Sequence, residues 1–191
     1  GSFDPVHAGH GMVANELSQS GLFDEVWLVP GRINPFKVGR QPVSPEHRIN
    51  MARIVARKCA AVRVSDIETR LPEPSYSINT LRELVRLYPE HSFRLIIGSD
   101  NWAGFMNWRE AEAIIRDFGV IIYERPGYMV PDSLPDNVSV VRNMPQMQVS
   151  SSYIRDAIAA GRNVNFIVPD GVMDYIGVHG LYTDNSNNNG K

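Results

Sequence analysis

The 191-residue sequence has a single cysteine, no excess of basic residues and no long apolar run. The one cysteine, Cys59, cannot form an internal disulfide, which fits a reducing compartment. Lys and Arg number 19 against 21 Asp and Glu, so no overall positive field attracts nucleic acid. No stretch approaches the ~20 apolar residues that a membrane span needs. We therefore expect a cytoplasmic protein that binds neither nucleic acid nor a membrane.

The sequence does contain a regular alternation of short apolar segments with amphipathic ones. Short segments rich in Val and Ile predict buried strands at residues 25–30, 61–66, 93–97, 119–123 and 138–141. Amphipathic segments predict helices at residues 9–20, 45–58, 77–88, 108–116, 151–160 and 170–176. Ser44 and Gly161 have the positions of a helix cap and a helix stop. This alternation predicts an α/β fold, in which a doubly wound parallel sheet lies between two layers of helices.

The expected domain organisation is simple. Residues 1–182 are predicted to form one domain, and the polar residues 183–191 a loose tail. The sequence opens directly on the turn GSFDP, whereas a doubly wound sheet normally leads into such a turn with a buried strand. We therefore expect the native protein to carry a first strand upstream of Gly1.

Residues 1–10, GSFDPVHAGH, have the features of an anion-binding turn and helix start. Gly1 allows a close backbone approach to a ligand, and Pro5 fixes the turn. His7 and His10 share one face if the helix has begun by His7, so the positive helix end and two imidazoles meet one anion. Surface histidines in an ordinary loop are one alternative. A zinc site is another, but it lacks further ligands at the usual spacing.

A second anion-binding pattern, VSSSYIR, occupies residues 149–155. Serine hydroxyls and free backbone N–H groups at a helix start can hold an anion, and Arg155 adds a guanidinium suited to phosphate. Asp100, in the segment GSDN, follows a predicted strand at the edge where parallel sheets bind ligands, so it can accept from ribose hydroxyls. The alternatives are an ordinary capped helix for VSSSYIR and a helix cap for Asp100.

The two patterns resemble the HxGH and ISSTxIR signatures of the nucleotidylyltransferase superfamily. The resemblance implies a three-layer, Rossmann-like nucleotidyltransferase fold with His7, His10 and Arg155 as catalytic residues at the ATP phosphates. Lys37, in a PFK segment where the family often has PHK, is expected to be catalytic as well. The resemblance also implies ATP contacts for Gly1, Ser2, Phe3, His7, His10, Gly98, Asp100, Ser151, Ser152 and Arg155.

Other segments resemble bacterial nicotinate mononucleotide adenylyltransferases, namely PSYSINTL, NWREAEAI, RPGY and IVPDGVMDYIGVHGLY. This resemblance implies that Ser77 and Thr80 touch the mononucleotide, that Trp108 stacks on its pyridine ring and that Arg125 pairs with its phosphate. Core packing is the alternative for Trp108. The implied reaction transfers AMP from ATP to nicotinate mononucleotide in NAD biosynthesis, giving nicotinate adenine dinucleotide and pyrophosphate. Mg²⁺ is expected to arrive on ATP, so no protein metal ligands are predicted.

Two other functions remain open at this point. Phosphopantetheine adenylyltransferase of coenzyme A biosynthesis shares both signatures, although it lacks the NWREAEAI and C-terminal LY patterns. A non-catalytic nucleotide sensor on the same fold is the second alternative. The oligomeric state cannot be derived from the sequence, and a homo-oligomer stays open.

Overall fold

A computed structural model of the chain describes residues 1–32 and 41–183. The chain divides into two compact units, one comprising Gly1–Thr69 with the C-terminal part from Met147, the other Arg70–Gln146. The prediction that residues 1–182 act as one domain stays a prediction. The predicted tail lies outside the described residues except for Thr183. In the described part of the chain, no helix combines the length and the apolar character needed to cross a membrane.

Strands and helices alternate along the described residues as the sequence predicts. The strands are β1 (Val26–Leu28), β2 (Val62–Val64), β3 (Leu95–Gly98), β4 (Val120–Tyr123) and β5 (Val138–Val141). The helices are α1 (Ala8–Gln19), α2 (Pro45–Ala56), α3 (Ser77–Leu87), α4 (Ser99–Trp102), α5 (Ala111–Asp117), α6 (Ser151–Ala159) and α7 (Asp170–Val178). Short 3₁₀ turns add Ile67–Arg70 and Phe105–Asn107.

The first unit contains a two-stranded parallel sheet with helices α1, α2, α6 and α7. In this sheet β1 pairs with β2, so that Val26 lies opposite Val62. Helix α2 begins as predicted, because the Ser44 hydroxyl accepts from the His47 N–H over 3.4 Å. Gly161 follows α6 with a left-handed φ of 67°, the conformation that a helix stop requires. The apolar faces of these helices supply a buried core that includes Leu17, Met51, Ala52, Ile154 and Val172.

The second unit contains a three-stranded parallel sheet with β4 in the middle. The strand order is β3-β4-β5, and Leu95, Val120 and Val138 lie in register. Helices α3 and α5 cover it with apolar side chains, which the 3.6-residue period of their sequences predicts. The core formed there is centred on Ile78, Leu81, Phe105, Ile114, Val120 and Ile122.

One helix begins later than its sequence predicts. The expected start is Trp108, but that residue is extended, with φ of −75° and ψ of 151°. Glu110 then takes a left-handed conformation, with φ of 54°, and α5 begins at Ala111. A side chain with a Cβ is rare in that region, so nothing in the local sequence announces the turn. Periodicity also cannot predict α4, because four residues are too few to show a period.

Candidate active site

The two histidines of the first signature stand together at the start of α1. His7 is the residue before the helix, and His10 is its third residue. The His7 N–H donates to Nδ1 of His10 over 3.2 Å, and the two rings stack with centroids 3.7 Å apart. His7 is buried, whereas His10 is partly exposed. Both imidazoles therefore lie at the helix end whose partial positive charge favours an anion.

The turn before α1 is held by backbone contacts and by one ring contact. The Gly1 amino group donates to the Val29 carbonyl over 2.9 Å, and the Gly1 carbonyl accepts from the Gly31 N–H over 2.8 Å. Phe3 has a left-handed φ of 47°, and its ring meets the His10 ring edge-on with centroids 4.9 Å apart. Because a left-handed conformation costs about 1–2 kcal/mol, the surrounding contacts must keep this turn in place.

The second signature, at the start of α6, contacts the same turn. Ser151 donates its hydroxyl hydrogen bond to the Pro5 carbonyl over 2.9 Å. The Arg155 guanidinium donates to the Asp4 carbonyl over 2.7 Å and lies 3.7 Å from the Asp4 carboxylate. It also donates to the Ser152 hydroxyl over 3.0 Å. Two stretches that are 151 residues apart in sequence therefore meet within three residues of His7.

Asp4 links this turn to the C-terminal part of the chain, a role that the sequence motifs do not reveal. Its carboxylate accepts from the Tyr182 hydroxyl over 2.8 Å and from the Val43 N–H over 3.4 Å. Burial and the nearby Asp4 charge raise the pKa of Tyr182, so its hydroxyl stays a donor. The only signal in the sequence is a carboxylate placed inside an otherwise anion-binding motif, where it needs a cationic partner.

A fully buried arginine, Arg48 of α2, fixes the same turn from behind. Its guanidinium donates to the Ser2 carbonyl over 2.8 Å and to the Val43 carbonyl over 2.9 Å, and it also reaches the carbonyls of Gly31 and Arg32. Burial lowers the pKa of Arg48 from its ordinary value. A sequence signal for this role exists, because Arg48 stands among the apolar positions of α2.

Two further predictions concern Lys37 and metal ligands. The predicted catalytic Lys37 lies outside the described residues. Within residues 1–32 and 41–183, no group of three or more His, Cys, Asp or Glu side chains is placed to hold a metal ion.

In the second unit, the residues predicted for ribose and for the acceptor phosphate lie side by side after β3 and β4. The Arg125 guanidinium is 3.8 Å from the Asp100 carboxylate. The Arg125 N–H donates to the buried Ser99 hydroxyl over 2.9 Å, which ties the two strand ends together. A Cβ at Gly98 would lie 2.8 Å from the Arg125 side chain and still closer to Asp100, so glycine permits their approach.

The other residues predicted for the acceptor lie on α3 and just before α5. Ser77 is the first residue of α3, and Thr80, one turn later, is buried with its hydroxyl 3.5 Å from the Tyr76 carbonyl. The Trp108 ring packs on Phe105 with centroids 5.3 Å apart, yet it stays partly exposed. Core packing therefore accounts for only part of the Trp108 surface.

Comparison with known proteins places these features in a family. Residues 1–157 match the cytidylyltransferase-like family. A Bacteroides thetaiotaomicron protein named "Probable nicotinate-nucleotide adenylyltransferase" is 40% identical over 177 residues, which cover 92% of this chain and 87% of that protein. A Bacteroides fragilis protein of the same name is 41% identical over 92% of this chain and 88% of its own length.

A solved structure agrees with these sequence matches. The Plasmodium falciparum nicotinic acid mononucleotide adenylyltransferase complexed with NaAD has a TM-score of 0.79 and 25% identity, covering 95% of this chain and 94% of that one. The predicted Rossmann-like nucleotidyltransferase fold is thereby confirmed. The chain belongs to the cytidylyltransferase-like family and, within it, to the nicotinate-nucleotide adenylyltransferases.

Proposed function

We propose that this enzyme transfers AMP from ATP to nicotinate mononucleotide, forming nicotinate adenine dinucleotide and pyrophosphate. The observation that carries the proposal is the contact between the two signatures, in which Ser151 and Arg155 hold the turn that leads into His7. Two imidazoles, a guanidinium and two helix starts meet around that turn, a combination suited to a triphosphate. The names of the relatives support nicotinate mononucleotide as the acceptor.

In the first unit, we assign the phosphates of ATP to His7, His10, Ser152 and Arg155, with Lys37 as a further cation. The Ser151 hydroxyl is already bonded to Pro5. We therefore assign the contact of Ser151 with ATP to its backbone N–H, because the first N–H groups of a helix lack intrahelical partners. The backbone of Gly1, Ser2 and Phe3 completes the nucleotide contacts on this side.

In the second unit, we assign Asp100, beside Gly98, to the ribose hydroxyls of ATP. Ser77, Thr80 and Trp108 are assigned to the mononucleotide, and Arg125 to its phosphate. The present distance of 3.8 Å between Arg125 and Asp100 is a weak pairing at two partly exposed side chains. A phosphate dianion is a stronger partner for the guanidinium, so its arrival frees the Asp100 carboxylate to accept from the ribose.

The proposed chemistry is a single in-line displacement. An oxygen of the acceptor phosphate forms a bond to the α-phosphorus of ATP, the bond to the bridging oxygen breaks, and pyrophosphate leaves with that electron pair. The attacking phosphate is ionised at neutral pH, so no general base is required. His10 and Arg155 act by placing positive charge and hydrogen-bond donors where negative charge builds up.

ATP enters as its Mg²⁺ complex, with the ion on the phosphates rather than in a protein cage. This assignment agrees with the chemistry of the described residues, since the groups around the turn are imidazole and guanidinium rather than clustered carboxylates. The single cysteine fits a reducing compartment, so we place the enzyme in the cytoplasm.

An acceptor panel tests the proposed function. Purified protein is given MgATP together with nicotinate mononucleotide, nicotinamide mononucleotide or phosphopantetheine, while pyrophosphate release and product mass are followed. We expect the highest kcat/KM with nicotinate mononucleotide. A preference for phosphopantetheine would move the chain to the coenzyme A pathway, and ATP binding without pyrophosphate release would make it a sensor.

A further inference from the structure

The two residues that follow Trp108 both contact α3 or its N-cap. Arg109 contacts Tyr76, the residue before α3, and Glu110 contacts Arg82 within it. Glu110 accepts two hydrogen bonds from the Arg82 guanidinium, at 3.2 and 2.6 Å. The Arg109 guanidinium carbon lies 4.8 Å from the centre of the Tyr76 ring, within the range of a cation–π contact. These four residues, which we call the clasp, connect the start of α5 to α3 at two points.

The backbone of Glu110 is strained, and the contacts of the clasp stabilise the fold too weakly to offset that strain. With φ of 54° and ψ of 42°, it has a left-handed conformation that residues other than Gly, Asn and Asp rarely adopt. The Arg82–Glu110 pair is about half exposed, at 50% and 40%, and exposed ion pairs stabilise a fold only weakly. Arg82 lowers the pKa of the Glu110 carboxyl, so the pair is fully charged at neutral pH. Strain of this kind that is kept beside binding residues indicates a functional task.

The clasp connects the two segments to which the acceptor is assigned. Its α3 side holds the helix whose first turn carries Ser77 and Thr80. Its other side directly follows Trp108, whose extended backbone leads into the left-handed Glu110. Because Ile114 donates its N–H to the Glu110 carbonyl over 3.0 Å, the same residue also begins α5. Glu110 therefore fixes where the Trp108 segment ends and the helix starts.

We infer that Arg82 and Glu110 are positioning residues for the acceptor, which hold Trp108 at a set distance from Ser77 and Thr80. They act through Trp108 and do not themselves touch the mononucleotide. The inference rests on the proposed function, because it takes nicotinate mononucleotide as the ligand of these segments. Loosening the clasp lets the stacking surface drift, which weakens acceptor binding and leaves the ATP phosphate contacts of the first unit unchanged.

Steady-state kinetics of Arg82→Met and Glu110→Gln test the inference. We expect the KM for nicotinate mononucleotide to rise about tenfold or more in each variant, since a small misplacement of a positioning group is costly. The KM for ATP and kcat should change by less than about twofold, because the ATP contacts are made elsewhere. The double variant should be no worse than either single one, because the two residues act as a pair. Exchanging the charges, in Arg82→Glu with Glu110→Arg, should recover most of the loss.

Arg86→Met is the matched control. Arg86 lies one turn further along α3 and makes the same two-pronged pair, at 2.7 and 2.7 Å, but with Glu83 of its own helix. Among the described residues its pair stays within α3, so its loss should leave the acceptor KM unchanged. An equal rise in Arg86→Met, a parallel rise in the KM for ATP, or no rise in the clasp variants would overturn the inference.

Glu110→Gly separates positioning from stability. Glycine adopts the left-handed conformation without steric cost, so this variant removes the carboxylate and the strain together. We expect its melting temperature to be unchanged or higher while its acceptor KM rises, a split that a purely structural role cannot produce.

Calorimetric titration of nicotinate mononucleotide follows binding without turnover. Wild-type protein that binds the mononucleotide but releases no pyrophosphate refutes the proposed function alone, and protein that does not bind it refutes both.

Discussion

At the scale of single residues, His10 has a structural task beside its proposed catalytic one. Its Nδ1 accepts the His7 N–H, so the same ring completes the start of α1. His10→Ala should lower turnover by about 10²–10³ and the free energy of unfolding by about 1 kcal/mol. Pyrophosphate release and urea denaturation measure the two effects.

His10→Asn is the informative control for this change. An asparagine amide oxygen can accept the His7 N–H, so we expect it to restore stability without restoring turnover. If His10→Asn works at the wild-type rate, the imidazole has no part in the reaction.

The residues of the site differ in how far the sequence reveals them. The meeting of His7, His10 and Arg155 around one turn could be predicted, because each belongs to a short motif whose spacing resembles a known signature. The roles of Asp4 and Arg48 could not be predicted, because they depend on partners up to 178 and 46 residues away in sequence. A single sequence shows that a charge stands among apolar positions, but it does not show which carbonyls or hydroxyls surround that charge.

At the scale of elements, helix α2 is attached to the turn before α1 through the buried Arg48 guanidinium. Arg48→Met removes the guanidinium donor from several partly buried carbonyls, and a buried group that loses its hydrogen bond costs about 1–3 kcal/mol. We expect a loss of roughly 3–5 kcal/mol in the free energy of unfolding, measured by urea denaturation. Arg53→Met, an exposed change on the same helix, should stay within about 0.5 kcal/mol. A small effect of Arg48→Met would mean that the turn keeps its place without this arginine.

Helices and strands were predictable where the sequence shows a hydrophobic periodicity or a helix-capping residue. The strands of both sheets fall inside the predicted segments, except that β3 continues one residue further to Gly98, and Ser44 and Gly161 mark real helix ends. The start of α5 was not predictable, since it follows a glutamate in a left-handed conformation that nothing in the local sequence announces.

At the scale of the whole molecule, stability should depend on pH through a buried tyrosine. The pKa of Tyr182 is raised above its ordinary value of 10.0, first by burial and then by Asp4. Above about pH 10 the unfolded chain loses this proton while the folded chain keeps it, so the free energy of unfolding falls as pH rises. Denaturation curves recorded between neutral and strongly alkaline pH measure the slope.

Tyr182→Phe should make this alkaline fall shallower while costing about 1 kcal/mol at neutral pH, where Asp4 loses a hydrogen bond. Part of the fall should remain, because burial also raises the pKa of Tyr123. Tyr153→Phe, at an exposed position, is the control and should leave the slope as it is. An unchanged slope in Tyr182→Phe would show that this hydroxyl titrates alike in the folded and unfolded chains.

The contacts of Asp4 also bear on when the enzyme can begin to work during its own synthesis. Arg155 and Tyr182 reach this aspartate from 151 and 178 residues further along the chain. A nascent polypeptide has made His7 and His10 well before Arg155 and Tyr182, which help to hold the turn before α1. Translation products that stop short of Tyr182 should therefore be inactive, and the newly made protein should turn over no ATP before Tyr182 has emerged.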